Sequence, residues 1–385
     1  MPSEDEPAFR NLQEAAAESG SGISYRSLSD RADSLPSPPR FTFGCFDGDL
    51  ASRYYHETVV LGTGLFVASG VEVSGPYCLS QGGMFFESPQ LHLDPNCLNA
   101  SLEYYGVTRS SRRLRAVAGQ CAMLIGPGFE IYGHWLMDFL PKLYVLHALG
   151  YDIDSLRYLV PVGTPEFGIA LLDLLGIHSE QLIAHDWQTE TVMADELLMP
   201  TLLRTNSRVA PPFADAVGFI ARRIVARSGE LAPSPHGPRL FISRRLANRE
   251  MRHLSNRERI EQLAKAAGFA IVHPEQMPLL DQVRLFNGAS HIMGEYGSAL
   301  HGSIFAPSGT IVAALRGSGS PIAGFLQSAV GHALGQPTGY VIGPTRPDDP
   351  LESFEIAERD FQLCRALVFG NLPMEPRPGR DEHPS

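Results

Sequence analysis

The chain has almost no lysine: Lys142 and Lys265 are the only two in 385 residues, and the formal net charge is −11. The charge argues against a general nucleic-acid binder, while the scarcity of lysine reads as genome composition rather than function. Cysteine is scarce as well. Cys45, Cys78, Cys97, Cys121 and Cys364 are odd in number and form no C-x-x-C pair, which excludes a zinc cluster or a disulfide framework. They read as buried thiols in a reducing compartment. No apolar run approaches the ~18 residues that a bilayer span requires, so no transmembrane segment is expected. The opening "MPSEDEPAFR" is acidic and lacks the basic and apolar regions of a signal peptide, so a cytoplasmic location is expected.

What is present is a chain with 44% hydrophobic residues, long enough for two α/β lobes. Residues 1–40, rich in Ser, Glu, Asp and Pro, are expected to be a disordered tail. Residues 41–230 are expected to form a first lobe. It begins with a β-rich accessory segment ("ETVVLGTGLFVASGVEV") and continues as helices and short apolar strands from Gly133 onward. A Pro-rich link, "ELAPSPHGPR", leads to a more regular alternation over residues 239–345. There "LFISRR", "FAIVHP", "HIMGEY" and "TIVAAL" read as strands, each followed by a helical pattern. Successive β-α units imply a parallel, doubly wound sheet, with a ligand cleft between the lobes. Residues 346–385 read as a C-terminal helix and a loose tail.

Three segments carry candidate chemistry. In "HIMGEYGSALHGSIFAPSG", Gly294 and Gly297 allow a positive φ or a close backbone approach, and Ser298 and Ala299 open a helix without bulk. A free helix N-terminus at a sheet's carboxyl edge favours an anion such as a diphosphate, although strand-to-helix turns need glycine for ordinary reasons too. In "FISRRLANR", Ser243 and Arg244 fall at a strand's carboxyl end, where Arg244 or Arg245 can grip phosphate oxygens in a bidentate fashion. Arg249, Arg252 and Arg257 are expected on a solvated face. In "GHWLMDFLPKL", His134, Asp138 and Lys142 share a helix face at i, i+4 spacing, and Pro141 should kink or end that helix. That face is either an acid/base pair or a plain Asp138–Lys142 ion pair. Asp152–Asp154 and Asp47–Asp49 form D-x-D patterns, but the former looks like a linker and no third ligand supports a metal there. His273 reads as structural, with Glu275 at the same strand-end edge.

Together these residues resemble glycosyltransferase family 61, including its bacterial capsular and exopolysaccharide members. The first family signature is matched by His134, Trp135, Asp138, Leu140 and Pro141. The second is matched by Ser243, Arg244, Asn256, Gly268, Phe269, Pro274, Glu275, Gly294, Gly297, Leu300, Phe305 and Gly309. The departures are Tyr296-Gly297-Ser298 where the family has His-Gly-Ala, Gly302 for a usual Asn, and Ala314 for a usual Glu. The resemblance implies a GT-B-like α/β enzyme of two Rossmann-type, doubly wound lobes that transfers a sugar with inversion and without a metal or other cofactor. The donor would be a nucleotide sugar such as a UDP-sugar, and the acceptor a saccharide or glycoconjugate. It further implies Asp138 as first choice of base, with His134 supporting or replacing it. The donor contacts would be Ser243, Arg244, Arg245, Glu275, Tyr296, Gly297, Ser298, Ala299 and His301. The rival readings are a polysaccharide pyruvyl transferase type of enzyme and a catalytically silent binding protein of the same fold.

Overall fold

A computed structural model describes residues 7–34, 37–46, 48–54, 58–107, 112–231, 234–247, 251–319 and 325–370. Asp47, Arg249 and the segment after Gly370 lie outside the described residues. The molecule is mixed α/β, built on a ten-stranded and a six-stranded sheet.

The six-stranded sheet is wholly parallel, in the order Ala270–Val272, Arg239–Ile242, His291–Glu295, Ile311–Gly317, Thr338–Gly343, Thr42–Gly44. Its strands are short apolar runs because both faces are covered. Alternate residues point to opposite faces. Leu240, Ile242, Ile292, Val312 and Ala314 pack with Val283, Leu285 and Phe286. Phe241, Met293, Ala313, Leu315 and Val341 pack with Ile260, Ala264, Phe361 and Cys364. The strand order turns around Arg239–Ile242, whose neighbours are the next two strands of the chain. The carboxyl ends of Arg239–Ile242 and His291–Glu295 therefore flank a topological switch point.

The ten-stranded sheet is mixed rather than doubly wound. Glu190–Pro200, Arg113–Ala122, Arg157–Pro161 and Leu182–His185 run parallel. Thr63–Ala68 and Glu72–Ser74 pair antiparallel on Glu190–Pro200. The β-rich segment is thus an extension of this sheet by hairpins, which need no crossover helices.

Two expected boundaries are corrected. The tail read as disordered contains strand Ala8–Asn11, helix Leu12–Ala17 and strand Ile23–Ser29, all tied to the ten-stranded sheet. Leu12, Ala15 and Ile23 bury enough apolar surface there to order a polar stretch. Thr42–Gly44, placed by sequence in the first lobe, is the edge strand of the second sheet. Nor do the halves have separate cores. Leu136, Phe139, Leu171, Phe213 and Ile220 belong to the same buried cluster as Ile242, Phe286 and Leu300. Cys78, Cys121 and Cys364 are buried as expected, whereas Cys45 is exposed. Among the described residues no helix is long and apolar enough to cross a membrane.

Candidate functional site

The segment around His134 begins as a helical turn, Tyr132–His134, and widens into a π-helical turn, Trp135–Phe139. Pro141 explains the widening. It cannot donate to a carbonyl one turn back, so Leu140 N–H bonds the Trp135 carbonyl at 3.0 Å, and a regular helix resumes at Lys142–Ala148. Trp135 anchors the turn through its indole N–H, which donates to the Phe129 carbonyl at 2.7 Å. A Cβ on Gly168 would lie 2.3 Å from that indole ring, so the facing helix Glu166–Leu174 requires glycine there.

On this scaffold His134 Nδ1 lies 2.6 Å from Asp138 Oδ2. Arg204 grips the same carboxylate with both arms: Nε bonds Oδ1, and the terminal nitrogen bonds Oδ2 at 2.7 Å. Asp138 is fully buried. Burial alone would favour the neutral acid, but the Arg204 charge and the hydrogen bonds from His134 and Arg204 hold it well below the usual carboxylate range. An ionised carboxylate only accepts, so Nδ1 donates in this bond, and in the neutral imidazole Nε2 is then the acceptor. His134 retains 29% side-chain exposure, whereas Asp138 has none. Lys142 takes no part in an ion pair with Asp138. Its Nζ donates to the Leu124 carbonyl at 2.9 Å, and burial pushes its pKa down to about 8 against the pull of Asp138.

The second segment meets this one directly. Ser298–Phe305 is a 3-10 helix rather than an α-helix. A Cβ on Gly133 would lie 2.9 Å from Ser298 Oγ and 3.1 Å from His301 Cδ2, so Gly133 admits the close approach. Tyr132 reinforces the junction, its hydroxyl donating to Gln282 Oε1 at 2.9 Å. His301 is buried, with Nδ1 3.1 Å from Gln327 Oε1. Burial, with Arg204 and His134 adding to it against Gln327 and Asp138, drives its pKa down to about 4. Gly294 and Gly297 serve close approach, not positive φ. A Cβ on Gly294 would stand 2.5 Å from the Ile242 carbonyl, and one on Gly297 3.2 Å from Arg244 Nε. Gly297, at φ 167, is extended.

Arg244 leaves strand Arg239–Ile242 at the switch point. Its N–H bonds Glu295 Oε1 at 3.0 Å, and its guanidinium reaches only the Tyr296 carbonyl, at 3.4 Å. Burial and the charges of Arg252 and Arg257, opposed by Glu295, push its pKa down to about 10. It is a half-buried cation with no carboxylate partner among the described residues, beside the start of the Ser298 turn. Tyr296 is buried, with Arg252 and Arg316 6.0 and 5.9 Å from its ring centroid. Glu275 is exposed on the turn Pro274–Gln276 at the same edge, and Ser298 and Ala299 are half-buried.

Three expectations in this arginine-rich stretch are corrected. Ser243 is fully buried and donates to Glu261 Oε1 at 2.6 Å. Arg245 points outward to Glu258 and Glu261, so both serve the packing of helix Arg257–Ala266. Arg257 is no solvated residue: it pairs with buried Glu295 at 2.8 and 2.9 Å. In the D-x-D pattern at 152–154, Asp154 is engaged structurally, bonding Arg223 and Arg227 at 2.5 and 2.8 Å.

Sequence reasoning missed two neighbours of His134. Arg204 sits on a two-residue strand, Arg204–Thr205, held by a turn through Asn206 at φ 51, and Arg-Thr-Asn-Ser-Arg signals a turn but no partner for Asp138. His92 follows the 3-10 turn Pro89–Leu91. His92, His134 and Asp138 have potential ligand atoms within 4.8 Å of one another. Both Asp138 oxygens are already engaged by Arg204 and one of them also by His134, and the guanidinium brings a positive charge to the place a cation would take.

Comparison with known proteins bears on this geometry. Residues 132–313 match the family described as Glycosyltransferase 61. No curated protein matches the chain.

Proposed function

We propose, starting from the glycosyltransferase 61 domain that makes this chain a glycosyltransferase, that it moves a sugar from a nucleotide sugar to a saccharide acceptor with inversion and without a metal. The donor is a UDP-sugar held in a GT-B-like manner at the carboxyl edge of the parallel sheet. The observation that carries this reading is the junction of the two segments. Gly133 abuts Ser298 and His301, which sets a histidine–carboxylate pair beside a sheet edge bearing a half-buried arginine.

In this reading His134 Nε2 takes the proton of the acceptor hydroxyl. Asp138, locked by Arg204, fixes the tautomer and stabilises the imidazolium that forms. The acceptor oxygen bonds the anomeric carbon from the face opposite the leaving group. The bond between that carbon and the diphosphate oxygen breaks, its electron pair leaving with the diphosphate. Arg244 and the N–H groups opening the Ser298 turn stabilise that charge. Asp138 is the poorer base because it is buried and its proton affinity is low.

The test is transfer from a panel of UDP-sugars to simple glycosides, with phosphoenolpyruvate as a control donor. Consumption of a UDP-sugar with formation of a glycoside of inverted configuration supports the reading. Turnover of phosphoenolpyruvate alone, or of no donor, contradicts it.

A further inference from the structure

His92 precedes the family-matched stretch and has no role in the chemistry above, yet it stands against the proposed base. Its ring is edge-to-face with that of His134, the centroids 6.5 Å apart. The backbone holds it there. His92 has φ 61 and ψ 25, a left-handed conformation uncommon for a residue with a side chain. The turn is closed on both sides by Ser88 N–H to the Leu93 carbonyl at 2.8 Å and Leu93 N–H to the Ser88 carbonyl at 2.9 Å. The imidazole is partly buried and makes no hydrogen bond among the described residues. Burial, with Arg204 and His134 adding to it against Asp138, lowers its pKa to about 4, so at neutral pH one ring nitrogen donates and the other accepts.

We propose that His92 is an acceptor-binding residue, holding the hydroxyl adjacent to the one that His134 deprotonates, so that the site selects a saccharide with two neighbouring hydroxyls. The inference rests on the glycosyl-transfer reading. Two imidazoles whose nitrogens approach within 4.8 Å, one oriented by Asp138 and one unpartnered, suit two adjacent hydroxyls of a pyranose. A metal bridging them fits less well, because Asp138 is committed to Arg204 and His134.

The experiment measures transfer from a UDP-sugar to methyl glycosides, each beside its deoxy analogue lacking the hydroxyl next to the transfer position. Wild-type protein should show an acceptor KM about tenfold higher for the deoxy analogue, the worth of one hydrogen bond. His92→Gly, which keeps the left-handed backbone accessible, should bind both acceptors equally and weakly while donor KM is unchanged. His92→Asn also tolerates that backbone and should restore part of the discrimination; it carries the test if the glycine variant melts early. Undiminished discrimination in both variants overturns the role of His92 and leaves glycosyl transfer standing. Absence of transfer by the wild type to every glycoside overturns both. Stoichiometric Zn²⁺ binding that disappears in His92→Gly would make the residue a metal ligand and also overturn the inference.

Discussion

At the scale of single residues, the proposed division of labour between His134 and Asp138 rests on burial. Asp138 is sealed and doubly bonded to Arg204, while His134 keeps an exposed edge. His134→Ala should lower turnover ~10²–10⁴-fold, the usual share of a general base, with donor affinity and melting temperature nearly intact. Asp138→Asn should lower turnover and stability together, since it strands a buried guanidinium at a cost of ~3–5 kcal/mol. Steady-state kinetics beside thermal melting separates the two patterns. At the donor edge, Arg244→Ala should weaken nucleotide binding by one to two orders of magnitude, the loss of a charge-assisted contact of ~1.5–3 kcal/mol. Calorimetry with UDP should find Arg245→Ala unaltered, because Arg245 serves Glu258 and Glu261. Lys142 offers a pH test. Its pKa is about 8 in the fold against an ordinary 10.5, so between those values the unfolded chain binds more protons and stability rises with pH. Urea titrations should show wild type gaining ~3 kcal/mol over that window relative to Lys142→Met.

At the scale of elements, the alternation of apolar runs and helical patterns made the parallel sheet legible, because strands buried on both faces read as continuous apolar runs. The motif residues were legible as well. Their roles were less so, since Ser243 and Arg245 lie at the right edge but are consumed by Glu261 and Glu258, partners on a helix that no local pattern names. Arg204 and His92 were not legible at all: each sits in a tight turn whose tertiary neighbours are distant in sequence. One family departure has a packing reason. A Cβ on Gly302 would lie 2.1 Å from the Phe286 ring, so the glycine lets helix Leu279–Asn287 pack against the Ser298 turn. Gly302→Asn should destabilise the protein by at least ~1–3 kcal/mol through overpacking, a loss read directly as a lower melting temperature.

At the scale of the whole molecule, one buried cluster runs through both halves and a second lies on the other face of the six-stranded sheet, and the proposed site lies where the π-turn of one half meets the 3-10 turn of the other. The proposed transfer uses no metal, so EDTA should leave turnover unchanged. The most direct test is the steady-state rate of sugar transfer by His134→Ala under saturating UDP-sugar, with UDP affinity measured on the same sample. The account predicts turnover reduced ~10²-fold or more with UDP affinity unchanged. Near-normal turnover in a folded His134→Ala protein would contradict it.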